Sequence, residues 1–240
     1  MPVLPQDADL SRIVGEPHPA TIQDVISKMQ TIDALLPSDD GLKWFNRLYL
    51  LVTQQVDQRP PEGGWKSPDW LMRLDVVFAG LYFVAVENYL NEKGAPSAWK
   101  ALFESRHEPG IDRIQFALAG MNAHINHDLA LALLATDQQM NVVPDLASPE
   151  HADYISINDL LSSLMPSTLA MLATDTLGLM AQDSGKIGQL LAFWNICEAR
   201  NLAWDFADHL RVLPDLSRVV ALDAQDQMTG ALGRAILCAI

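Results

Sequence analysis

The chain has 240 residues, enough for one large domain with a substantial core, and a 49% hydrophobic, 19% charged composition marks it as globular rather than disordered. Sixteen basic residues against thirty acidic ones leave a formal charge of −14. Such a surface repels phosphate backbones and anionic lipid headgroups, which argues against nucleic acid or a membrane surface as partner.

Pro2, Pro5, Pro17 and Pro19 predict an extended N-terminal arm over 1–19, and no basic stretch there leads into an apolar run of the secretory kind. Ile22, Val25, Ile26, Met29, Ile32 and Leu35 then recur at helical spacing, with Thr21 and Asp24 placed as a capping box. A second helix runs through "SDDGLKWFNRLYLLVTQQVDQ" until "RPPEGGW" breaks it. The third, "SPDWLMRLDVVFAGLYFVAVENYLNEKG", has Ser67 as its expected cap, Pro68 in the first helical position and Gly94 as its stop. The fourth spans about Asp112 to Ala135, and a connector from Asp137 to about Ser156 follows. The next helical stretch has a candidate break at Pro166, and a long helix runs from about Ser184 to Pro214. A shorter helix, "QDQMTGALGRAILCAI", comes last.

No period-2 run and no hairpin signal appears, so residues 20–240 read as a single all-α domain, a helical bundle of about seven helices. The apolar windows at 129–135 and 164–181 are interrupted well short of the ~20 residues a membrane span needs. Cys197 and Cys238 sit in apolar helical contexts and read as core residues of a reducing compartment. A soluble, cytoplasmic protein is expected.

Polar side chains inside apolar helices must be paired, hydrated or functional, because burying them without partners costs several kcal/mol. Three helices carry such groups. "GMNAHINHDLALALLA" places Asn122, His124, Asn126, His127 and Asp128 within seven residues; the last long helix carries Glu198, Asn201, Asp205 and Asp208 in one stripe; Asp75 and Tyr82 share a face of the third. A polar pocket between these three helices is predicted.

The first chemistry this set suggests is a divalent metal such as Zn or Fe, held by His124, Asp128, Glu198 and Asp205. The second is general acid–base catalysis, with His124 oriented by Asp128 or Glu198 and Arg200 free to clamp an anion. Asn122, Asn126, Asp75, Tyr82 and Trp204 would then contact a ligand. "DFADH" also has the spacing of a Mg²⁺–diphosphate motif, although nothing supplies its second half. Against all of these stands a buried hydrogen-bond network that only specifies helix packing. A small-molecule enzyme, metal-assisted or not, is therefore weighed against a non-catalytic binding or scaffold protein, with oligomeric state open.

Four segments, "WFNRLYLLVT" (44–53), "RLDVVFAGLYF" (73–83), "GMNAHINHDLALAL" (120–133) and "EARNLAWDFADHL" (198–210), together resemble a bacterial family known as domain of unknown function 5995. The resemblance implies a helical fold and brings no established activity. It favours Asp75, His124, Asn126, Asp128, Glu198 and Arg200 as one constellation and leaves His127 outside it.

Overall fold

The computed structural model describes residues 5–15, 17–173 and 195–238, with the backbone course alone over 165–173. Its helices are α1 (Pro5–Gly15), α2 (Ile22–Leu35), α3 (Gly41–Gln58), α4 (Pro68–Leu90), α5 (Ser97–Ser105), α6 (Arg113–Ala123), α7 (Leu129–Met140), α8 (Pro149–Ala173), α9 (Ile196–Val212) and α10 (Asp215–Leu237). A single π turn, His124–Asp128, joins α6 to α7, so residues 113–140 form one continuous rod. The described residues contain no strand.

The helix starts follow from their caps. Thr21 and Asp24 form the capping box of α2, and Asp112 with Gln115 forms that of α6. Asp40 caps α3 through the Leu42 amide. The buried face of α2 is Ile22, Val25, Ile26, Met29 and Ile32, the i, i+3, i+4 stripe of an amphipathic helix. At α4 the cap is tertiary: Ser67 makes no side-chain capping bond and instead donates to Glu150, while the Asp153 carboxylate receives the Lys66 and Ser67 amides.

The rod sits at the centre. Helices α3, α5 and α10 pack along its α6 half, α4 and α9 along α7, and α1 and α2 close the outer side of α3 and α4. Two glycines permit the tightest crossings. A Cβ on Gly120 would lie 2.3 Å from the Phe45 ring, and one on Gly230 would meet the Ser97 carbonyl at 2.6 Å, so α3 and α10 could not approach the rod and α5 this closely with any other residue. The core includes Phe45, Trp70, Tyr82, Phe83, Trp99, Phe103, Tyr154 and Trp204.

Several expectations need correction. The proline-rich start is a helix from Pro5 to Gly15, because Pro5 stands at its first position, where a missing N–H costs nothing, and Leu10, Ile13 and Val14 bury one face. The connector is confined to 141–148, since α7 runs on to Met140 and ends at Asn141 in the left-handed conformation, and α8 starts at Pro149. Helix α8 continues past Pro166, and α10 is longer than expected. Cys238 is exposed and Cys197 half-buried, so neither is a core residue. Residues 184–194 of the expected long helix, including Phe193 and Trp194, lie outside the described residues.

Candidate functional site

The π turn organises the polar cluster. It opens the helix by one residue, with the Leu129 amide reaching back to the His124 carbonyl, a distortion that recurs at functional sites. On it the buried Asp128 carboxylate collects three donors. His124 Nδ1 lies 3.0 Å and Trp99 Nε1 2.9 Å from Oδ2, while His127 Nδ1 lies 2.7 Å from Oδ1. Burial pushes the Asp128 carboxyl up, but its bonds to the two imidazoles outweigh this and hold it below the ordinary range, so it is ionised.

The two histidines differ. His127 Nε2 lies 3.6 Å from Asp226 of α10, so its ring stands between two carboxylates. Burial lowers its pKa, yet the bond and charge of Asp128 and the charge of Asp226 outweigh that and raise it. His124 is 1% exposed and goes the other way: burial dominates over Asp128 and keeps the ring neutral. A carboxylate can only accept, so Nδ1 carries the His124 proton and Nε2 is a bare lone pair. Among the described residues that buried Nε2 has no hydrogen-bond partner. The ring is fixed by parallel stacking on Phe78 at 3.5 Å and by the edge of Tyr49 at 4.5 Å.

His124 lines a small pocket of about 50 Å³ that opens partly to solvent. Its walls come from five helices: Tyr49, Val52, Thr53 and Val56 of α3, Asp75 and Phe78 of α4, Met121 and the π-turn residues His124 and Ile125 on the rod, Ile157 and Leu161 of α8, and Ile196 and Arg200 of α9. Most of this lining is apolar. The Asp75 carboxyl is half-buried and makes no hydrogen bond to the described residues; burial pushes it up to about 7, against the pull of Arg200. Arg200 is held from behind: Nε donates to Asn158 at 2.8 Å, Nη2 to the Tyr154 carbonyl at 2.9 Å, and the guanidinium stacks on the Tyr154 ring at 4.2 Å.

Asp75, His124 and Arg200 thus share one pocket, and Asp128 supports it from behind. Glu198 and Asp205 do not take part. Both are exposed, because α9 buries the stripe Ile196, Ala199, Arg200, Ala203, Trp204, Ala207 and Leu210 and turns its acidic stripe to solvent. Glu198 sits in the first turn, where a negative charge suits the helix dipole. The four-ligand metal set is therefore not assembled, and among the described residues no group of three His, Cys, Asp or Glu side chains converges on a metal position. Of the "DFADH" acids, Asp208 pairs with Arg211.

Asn122, Asn126, Tyr82 and Trp204 also lie away from the pocket. Asn122 donates to the Thr229 carbonyl and accepts from Asn126, whose own carbonyl takes a bond from Gln225, so both asparagines hold α10. Tyr82 is buried among Phe45, Phe83 and Trp99 with its hydroxyl near Asn46, and Trp204 is buried against Trp70 and Tyr154. Sequence reasoning missed Thr53, Asn158 and Trp99. Thr53 stands four residues after Tyr49 as a polar break in an apolar stripe, which is a legible signal. Trp99 reaches Asp128 from a separate helix, and nothing local marks it.

A family model described as Family of unknown function (DUF5995) matches residues 22–239. No curated protein and no solved structure matches the chain significantly.

Proposed function

This chain belongs to the family of unknown function (DUF5995), and from that premise we propose that it is a small-molecule enzyme working by general acid–base catalysis. One observation carries the reading: His124, oriented by Asp128, has an unpartnered Nε2 and lines a pocket with Asp75 and Arg200. A neutral imidazole with its second nitrogen held by a carboxylate is ready to take a proton at neutral pH. Asp128 is then a positioning residue that fixes the tautomer and steadies the imidazolium once it forms. Arg200 faces the negative charge that develops on the substrate, and Asp75, titrating near 7, exchanges a proton at working pH. The reaction class is removal of a proton from a hydroxyl, or from a carbon acidified by a neighbouring carbonyl. The partner is a small molecule, in keeping with the −14 charge of a cytoplasmic protein that has no reason to meet nucleic acid or anionic membrane.

The test is a panel of small hydroxy and carbonyl compounds screened by NMR for turnover or solvent-deuterium exchange. Wild type should act on at least one, and His124→Gln should lower its rate about 100-fold while staying folded. If wild type processes none of the compounds it binds, or His124→Gln matches it, the catalytic reading falls. A second reading is favoured by Asn122 and Asn126, whose bonds are all internal. In it the cluster only specifies packing in a non-catalytic binding or scaffold protein, and His124→Gln costs several degrees of melting temperature instead.

A further inference from the structure

Of the three buried cationic side chains described, Lys43 and Arg106 each have a carboxylate within 4 Å, and Arg200 has none among the described residues. A charge withdrawn from water without a counter-charge is costly, and the chain leaves this one at the wall of an apolar pocket. Its partners Asn158 and the Tyr154 carbonyl are neutral, and together with the Tyr154 ring they fix the guanidinium plane. Nη1 carries no hydrogen bond to the described residues. Asp75, the nearest acid on the pocket wall, makes no ion pair with it.

We infer that the pocket accepts a small amphiphilic carboxylate, its carboxylate on Arg200 and its hydrocarbon body between Val52, Val56, Ile125, Ile157 and Leu161. This rests on the reading of the pocket as a small-molecule site, and it is independent of whether His124 turns the ligand over. A single cation balances a single negative charge, whereas a phosphate dianion would bring a second charge towards Asp75. The apolar wall contributes the rest through burial of the chain.

Octanoate and octanol share one apolar body and differ in charge, so calorimetric titration with each isolates the role of Arg200. Wild type should bind octanoate at least about tenfold more tightly than octanol, as expected for a hydrogen bond to a charged group. Arg200→Gln should erase that preference. Asn158→Asp should erase it too, because it places a carboxylate beside Arg200 Nε and pairs the cation internally while keeping the arginine; this variant covers the case in which Arg200→Gln does not fold. Equal affinity for the two probes in wild type, no binding of either, displacement of octanoate by inorganic phosphate at equal concentration, or a preference that survives both variants would each overturn the inference. Failure of octanoate to bind an enzyme that turns over another compound would leave the catalytic reading standing.

Discussion

Arg106 and Arg200 are withdrawn from water to the same degree, 3% and 6% exposed, yet their surroundings are opposite. Arg106 closes the junction of α1, α3 and α5: its Nη2 lies 2.6 Å from Asp40 and 2.8 Å from Asp7, and Asp40 also caps α3. Every charge there has a counter-charge, so the cluster holds three helices and presents nothing to a ligand. At Arg200 the hydrogen bonds are met by neutral groups, and no carboxylate of the described residues lies within ion-pair distance. Equal burial of the same side chain therefore produces a structural clamp in one place and an electrostatic vacancy in the other. The opposite ion decides which.

The largest expected effect lies at the clamp. Asp40→Ala leaves Arg106 with Asp7 alone and removes the α3 cap, and it should cost about 3 kcal/mol in urea denaturation. A loss under about 1 kcal/mol would mean that the Arg106 charge is hydrated after all, and the contrast would dissolve.

An intermediate effect concerns Asp75. Its raised pKa means that the folded state keeps a proton that the unfolded chain has released. Stability from this group is complete below the unfolded value of 3.8 and is lost as pH rises to about 7. Asp75→Asn keeps the side chain neutral, so its melting temperature should exceed wild type by about 3 °C near pH 8 and match it near pH 4. A pH-independent difference would show that Asp75 is an ordinary solvated carboxylate.

The smallest effect belongs to the pocket cation itself. Arg200→Met removes an uncompensated buried charge and should stay within about 1 kcal/mol of wild type. In that background the Asp75 carboxyl loses its nearby cation and rises further, which carries the loss of stability to higher pH. If Arg200→Met costs as much as Asp40→Ala, then Arg200 is a structural residue like Arg106.

Much of this was legible before any coordinates. The capping box at Thr21 and the helix start near Asp112 depend on residues a few positions apart and were legible, as were the polar interruptions at Asp75 and His124, both of which line the pocket. Glu198 and Asp205 were misplaced because α9 has two candidate stripes. The polarity of the acidic one does not say which way it faces, and small Ala199, Ala203 and Ala207 let the other approach the rod. Asn122 and Asn126 looked like ligand contacts because their partners, Thr229 and Gln225, lie about a hundred residues away.

The amino-acid sequence by itself determined that the chain is helical, where α2, α4 and α6 begin, and which polar groups would need an explanation, since propensity, capping and periodicity are local. Tertiary structure alone decided which of those groups found partners. It brought Trp99 and two histidines onto Asp128, gave Arg106 its carboxylates and, among the described residues, left Arg200 without one. A helical period fixes the phase of a side chain on its own axis and says nothing of what stands opposite. For a buried charge, the group opposite sets both the energy and the role.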